Sequence, residues 1–299
     1  MKSFSRLAKE EIYKSENAKT CCDNAQYAGL LLFGASIDHG SIKFVTENQD
    51  VLGSYINISR KLGFEPIVKQ ISDESVRYVA ETTDITKIMQ LLADYKLINS
   101  STGLINYRIS KGVVARECCK RAFLKGAFLG GGTVIDPQKN YNLEIITSHY
   151  LLSNDLQEVL KQIGFEFKTV MRKSKYVLYV KNSELISDVL TYMGAFKSQM
   201  ALINVKIEKE IRNDVNRSVN GETANMEKTI SASIEQIKAI EKVDKFVGLE
   251  NLPDDLREVA FLRLEHKDLS MGELVNLLNP PLSKSGINHR FKKILEMAK

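Results

Sequence analysis

Apolar residues at every fourth position, followed by alternating stretches, organise most of this chain. From about Asp23 to Phe33 most residues are apolar, and Ala25, Gly29 and Phe33 fall at i, i+4 and i+8. Residues four apart share one helix face. The register returns 97 residues later: Cys21, Cys22, Ala25, Gly29, Leu32 and Gly34 are matched by Cys118, Cys119, Ala122, Gly126, Leu129 and Gly131, without a gap. Such self-similarity marks an internal duplication. In the second copy Ala122, Gly126 and Gly130 form the stripe. Glycine inside a helix costs about 1 kcal/mol, so an Ala/Gly stripe on an apolar helix implies close approach of another backbone. The simplest partner for each stripe is the other, docked about a pseudo-two-fold axis.

After each helix the pattern changes to period two. Residues 36–38 and 41–46 predict a hairpin, 49–62 a helix ending at Gly63 as C-cap, 66–71 and 76–81 two strands, and Asp84 the N-cap of a helix to about Tyr95. The second copy predicts strands near 132–136 and 142–147, a helix over 150–163 ending at Gly164, strands over 165–172 and 176–181, and a helix from Ser183 to about Met193. The phrase Leu62-Gly63-Phe64-Glu65 recurs as Ile163-Gly164-Phe165-Glu166 at an offset of 101, so four residues are inserted around 136–140. Each half reads helix-strand-strand-helix-strand-strand-helix, joined through the polar segment Lys96 to Lys111. A charged amphipathic helix over 3–16 precedes them.

Beyond Phe196 the strand pattern ends. Residues 200–219 have helical period, and a second helix is expected from about Glu222 to Val247, with Met226, Ile230, Ile234, Ile237 and Ile240 along it. Asn213, Asn216 and Asn220 fall on one face, flanked by Arg212 and Arg217, with Asn225 beyond. Asparagine is a mediocre helix former. The stripe therefore reads as a polar face, either packed at a domain junction or in contact with nucleic acid or a partner protein.

The last fifty residues predict three short helices. Pro253-Asp254-Asp255 opens the first, Ser270-x-x-Glu273 has capping-box form for the second, and the turn Asn279-Pro280-Pro281 precedes a third that starts at Ser283. This is a helix-turn-helix arrangement. Ile287, Phe291, Ile294 and Leu295 are its expected buried face. The candidate DNA-binding residues are Ser283, Lys284, Ser285, Asn288, His289, Arg290, Lys292 and Lys293. Asparagine suits adenine, and lysine suits guanine or phosphate. A charged surface helix without a nucleic-acid role is the plain alternative.

Composition narrows the class. With 43% hydrophobic and 26% charged residues the chain belongs with globular proteins rather than disordered or disulfide-framework chains. No apolar run reaches the ~20 residues of a membrane span, and Met1 to Arg6 carries no signal-peptide core; a cytoplasmic, nucleoid-associated protein is expected. Net charge of +5 permits an anionic partner without demanding one. The four cysteines form two adjacent pairs, read as buried reduced thiols, with an inter-repeat disulfide or a metal clamp as alternatives. No metal and no cofactor is expected.

The duplicated Ala28-Gly29-Leu30-Leu31-Leu32-Phe33-Gly34-Ala35-Ser36-Ile37 resembles the LAGLIDADG signature of homing endonucleases. In that family paired αββαββα halves meet at the signature helices, and an acid at the end of each binds the catalytic divalent metal. Gly34 and Gly131 occupy those places. Asp38 and Asp136 lie at unmatched positions and are poor substitutes. The resemblance thus implies a scaffold that has lost its cleavage chemistry. The whole chain is also similar to the WhiA family of bacterial DNA-binding proteins. The match rests on Arg121-Ala122-Phe123-Leu124-Lys125-Gly126-Ala127-Phe128-Leu129, on Asn216-Arg217-Ser218-Val219-Asn220 with Thr223-Ala224-Asn225, and on Pro280 through Arg290. Gly221 departs from a Cys expected in the Asn-rich motif. The fold class implied is α+β: a duplicated αββαββα LAGLIDADG-like domain followed by an all-α helix-turn-helix domain.

Expected boundaries are an N-terminal helix at 1–20, the LAGLIDADG-like domain at 21–195 (repeats 21–95 and 115–195), a helical linker at 196–250 and the helix-turn-helix at 251–299. The function implied is non-catalytic, sequence-specific binding of double-stranded DNA, as a transcription regulator in cell division, chromosome segregation or sporulation. The alternative is a protein- or ligand-interaction module tethered to DNA by the helix-turn-helix; an active endonuclease is the remaining reading. A protein partner on the LAGLIDADG-like domain is possible, and no membrane partner is expected.

Overall fold

The computed structural model describes residues 2–72, 76–99, 101–280 and 282–299. These form two compact units, Met1–Lys209 and Glu210–Lys299. In the first, helix α1 (Phe4–Lys14) precedes repeat one: α2 (Thr20–Gly34), β1 (Ala35–Ile37), β2 (Ile42–Thr46), α3 (Gln49–Lys61), β3 (Ile67–Ser72), β4 (Val76–Thr82) and α4 (Ile85–Asp94). Repeat two follows with α5 (Glu117–Gly131), β5 (Gly132–Val134), β6 (Leu143–Thr147), α6 (Tyr150–Gln162), β7 (Lys168–Arg172), β8 (Lys175–Val180) and α7 (Ser183–Met193). Each repeat builds a four-stranded antiparallel sheet, ordered β1-β2-β4-β3 and β5-β6-β8-β7.

The Ala/Gly stripes meet as expected. A Cβ on Gly29 would collide with the carbonyl oxygen of Phe123 and lie 2.7 Å from the nitrogen of Ala127; one on Gly126 would overlap the carbonyl of Gln26. Only glycine admits this approach of backbone to backbone. The paired helices are the centre of the core, with Ala25, Leu30, Leu31, Phe123, Leu124 and Ala127 fully buried. Like ends lie together. Gly34 sits beside Gly130 at one end, and at the other the Cys22 thiol points to the Cys118 carbonyl oxygen at 3.6 Å while the Cys119 thiol points to that of Cys21 at 3.7 Å. Burial pushes the Cys22 thiol up to about 12 and Cys119 up to about 11.

The repeated Leu/Ile-Gly-Phe-Glu phrase forms the same helix stop twice. Gly63 (φ 84°) and Gly164 (φ 83°) adopt the left-handed conformation. Phe64 N–H donates to the Ser59 carbonyl and Phe165 N–H to that of Leu160, each at 2.9 Å, which satisfies carbonyls left open at the helix ends. The four extra residues fall in the β5–β6 connection, 135–142 against 38–41 in repeat one. The joining segment is tied to both halves: the Tyr107 hydroxyl donates to the Ile37 carbonyl, its ring stacks on His149, and Arg108 holds Asp155 with two bonds of 2.6 and 2.8 Å.

From Phe196 to Val247 the chain forms one helix, α8, of 52 residues. This corrects the expectation of two helices split near residue 221. Gly221 does not break it, because a single exposed glycine costs only about 1 kcal/mol against the hydrogen bonds on either side. The Glu11 carboxylate caps the start of α8, accepting from the backbone N–H of Lys197 and Ser198 and from the Ser198 hydroxyl.

In the second unit, a 3-10 turn (Leu249–Asn251) leads to α9 (Asp254–Glu265), α10 (Met271–Asn276) and α11 (Lys284–Met297). Three short helices cannot enclose a core alone. Ala239, Ile240 and Val243 of α8 complete it, packed with Leu256, Val259, Leu274, Leu278, Ile287, Phe291 and Ile294.

Candidate nucleic-acid interface

Local chemistry sets the three terminal helices. Ser270 and Glu273 form the reciprocal capping box at α10. Asn279-Pro280 lies in the turn, and Pro281 is outside the described residues. The Ser283 hydroxyl accepts from Gly286 N–H at 3.1 Å and so starts α11.

One buried cation ties the unit together, and periodicity gives no signal for it. Arg263 is 2% exposed. Its guanidinium donates to the Gln236 side-chain oxygen (3.0 Å) and to the carbonyls of His266 (3.3 Å) and Leu269 (2.7 Å), and it lies over the Phe291 ring. It therefore joins α8, α9, the α9–α10 connection and α11. A basic residue on the inner face of a helix otherwise reads from sequence as a solvated charge.

Ile287, Phe291 and Ile294 turn α11 inward. Outside lie two adjacent rows spaced by four: Lys284, Asn288 and Lys292, and beside them Ser285, His289 and Lys293, all exposed. Ser283 is exposed at the N-terminal end. Arg290 is elsewhere. It is half-buried against α9, with Asp255 at 3.8 Å and Glu258 at 3.6 Å. Expected among the DNA-facing residues, it follows His289 by one residue, about 100° around the helix, which turns it from the outer rows toward the acids of α9.

On α8, Arg212, Asn213, Asn216, Arg217, Asn220 and Asn225 are all exposed. Ile211, Val215 and Val219 on the same stretch are more than half exposed too.

In the first unit the ends of the signature helices are closed. A Cβ on Gly34 would lie 3.0 Å from the Gly130 Cα and press on the Phe44 ring; one on Gly131 would lie 2.7 Å from the Ile146 carbonyl oxygen and 3.1 Å from that of Phe33. Neither a carboxylate nor the room to place one is there. Asp38 is engaged in its own turn, where the N–H groups of Gly40 and Ser41 hold its carboxyl below the usual range. On the open sheet faces each central acid is answered by cations: Glu81 lies 3.3 Å from Lys43 and 3.8 Å from Lys69, and Glu144 3.8 Å from Arg172. Lys168 is exposed beside Tyr179 in the register.

Paired αββαββα repeats closed by helix-on-helix glycine contacts, with a helix-turn-helix unit after them, define a degenerate LAGLIDADG-type scaffold joined to a DNA-binding-type module. Comparison with known proteins agrees. A model of the WhiA LAGLIDADG-like domain matches residues 120–212, and one of the WhiA C-terminal HTH domain matches residues 215–298. A protein of Alkaliphilus metalliredigens named probable cell division protein WhiA is 38% identical over 99% of this chain and 97% of its own length. A relative of the same name from Caldicellulosiruptor saccharolyticus is 40% identical over 99% and 94%. The crystal structure of full-length DUF199/WhiA from Thermatoga maritima superposes with a TM-score of 0.64 at 25% identity, over 99% of this chain and 98% of that one. The chain belongs to the WhiA family. No helix among the described residues is long and apolar enough to cross a membrane.

Proposed function

We propose that the chain is a non-catalytic, sequence-specific binder of double-stranded DNA that regulates transcription in cell division, chromosome segregation or sporulation. One observation carries the reading: α11 presents Lys284-Asn288-Lys292 and Ser285-His289-Lys293 as two adjacent solvent-facing rows. Amide, imidazole, hydroxyl and ammonium groups on one exposed helix face suit base edges and phosphates in the major groove. Arg290 then acts on orientation, holding α11 against α9. Absence of cleavage is supported by the packing around Gly34 and Gly131, since phosphodiester hydrolysis of the LAGLIDADG kind needs carboxylates there to hold the cations. The domain division at residues 20, 195 and 250 and a nucleoid-associated, cytoplasmic location are parts of the same proposal.

The test is fluorescence anisotropy of the full chain on genomic fragments that co-precipitate with it. Lys284→Ala is expected to weaken binding and lower the salt slope by about one; Asn288→Ala is expected to cost about 1–3 kcal/mol on one base preference. Unchanged affinity in both would refute the assignment. Metal-dependent nicking of plasmid by the purified chain would refute the non-catalytic reading.

A second reading is favoured by apolar residues among the cations of the first sheet, with Val45 50% and Ile67 59% exposed. Such a mixed face suits a protein partner, DNA being held by the other unit. Alanine at Lys43, Lys69 and Lys168 together would leave DNA affinity and its salt slope unchanged on this reading, and lower both if the sheets bind DNA.

A further inference from the structure

At the opposite end of the paired helices from Gly34 and Gly131, four thiols converge. The Sγ atoms of Cys21, Cys22, Cys118 and Cys119 all lie within 4.8 Å of one another. We propose that these four cysteines form a zinc site, two ligands from each repeat, that pins the N-termini of α2 and α5 together.

The dimensions suit a single tetrahedral ion. With Zn–S bonds of about 2.3 Å, the edge of an S4 tetrahedron is about 3.8 Å. Closing the cluster onto a cation therefore asks for inward movements of an ångström or less, by side chains in the first turn of each helix. The donor set also narrows the metal. Four sulfurs with no oxygen donor favour zinc over calcium, magnesium or manganese. The nearby acids are committed elsewhere: Asp23 accepts from Asn17 and lies 3.8 Å from Lys61, and Glu117 accepts from the Tyr192 hydroxyl and lies 3.8 Å from Lys120.

The electrostatics of the two helix starts point the same way. Their N-cap residues are Lys19 and Arg116, and neither makes a side-chain capping bond. Cations are the wrong sign for the positive end of a helix dipole. They are the right sign around four thiolates, whose charge exceeds that of one dication. The Arg116 guanidinium lies 3.9 Å from the Cys21 sulfur. The two buried thiols, Cys22 and Cys119, donate to backbone carbonyls of the opposite helix at 3.6 and 3.7 Å, weak bonds that are cheap to exchange for metal ligation. A cavity of about 440 Å³, lined by Cys21 and Cys119 with Asn24, Tyr95 and Ser110, gives an ion a way in.

The site is independent of DNA recognition, and its test does not use DNA. Full-length protein purified under reductant and without chelator is analysed for bound metal by mass spectrometry. A chelated and desalted sample is then titrated with Co²⁺. The expected results are one zinc per chain, and with cobalt the visible d–d bands and thiolate charge-transfer absorption of a tetrahedral thiolate site. Cys22→Ser and Cys119→Ser should each lose most of both signals. The wild-type cobalt spectrum stands even where a variant fails to fold. Zinc well below stoichiometry together with an octahedral cobalt spectrum would overturn the proposal. So would stoichiometric iron in place of zinc, or a Cys22–Cys118 disulfide trapped by alkylation in freshly lysed cells.

Discussion

Two identical substitutions in two helices should have opposite signs. Gly126→Ala places a Cβ in overlap with the Gln26 carbonyl oxygen, 2.9 Å from the Gln26 carbonyl carbon and 2.9 Å from the Leu30 nitrogen. All three atoms are backbone, so no rotamer can yield. Restoring ordinary contact distance moves α2 from α5 by about an ångström, a gap that forfeits a quarter to a half of each dispersion contact across the face. Overpacking costs typically 1–3 kcal/mol and more where nothing can turn aside; the better helix propensity of alanine returns about 1 kcal/mol. With only backbone atoms to yield, the cost lies at the upper end of that range, and a net loss of about 2 kcal/mol is expected. Gly221→Ala meets nothing within 4 Å, so only the propensity acts, and a gain of about 0.5–1 kcal/mol is expected.

The assay follows from the composition. The chain has no Trp, and its eleven Tyr all lie between Tyr13 and Tyr192. Tyrosine fluorescence during urea unfolding therefore follows the first unit alone, and far-UV circular dichroism adds the helical second unit. Gly126→Ala should lower the fluorescence midpoint, and Gly221→Ala should raise only the dichroism transition. A neutral or stabilising Gly126→Ala would refute the account of the helix interface.

Arg263→Ala should destabilise the second unit by about 3 kcal/mol, read by circular dichroism, because two half-buried carbonyls and the buried Gln236 amide lose their donor. Arg290→Ala should cost less, about 0.5–1 kcal/mol, since its acidic partners are nearly half exposed, and at low salt it should leave the DNA salt slope unchanged. Burial lowers Lys9 from its ordinary 10.5 to about 8, beside the Leu129 carbonyl. Below about pH 8 the ammonium is charged in both states and its burial disfavours folding. Between about 8 and 10.5 only the unfolded chain keeps the proton, so stability rises with pH, by up to about 3 kcal/mol. Melting of Lys9→Met should lack that rise relative to wild type; parallel curves would refute it.

The sequence by itself determined what depends on local pattern. Period-four and period-two stretches set the duplicated element order, Gly63 and Gly164 set two helix stops, and Ser270 and Ser283 set two helix starts, because caps and amphipathic faces are written within a few residues. It also located the helix interface, since two matched glycine stripes have few other uses. Tertiary structure decided what depends on neighbours distant in the chain. Gly221 could not announce whether α8 would continue, because tolerance of a glycine is set by the helix on both sides. Arg290 looked like its neighbouring cations until the acids of α9 came within reach. Arg263 is buried only because three backbone and side-chain acceptors converge on it. The paired cysteines, 97 residues apart and ordinary as dipeptides, became a four-sulfur cluster only when α2 and α5 aligned at the same end.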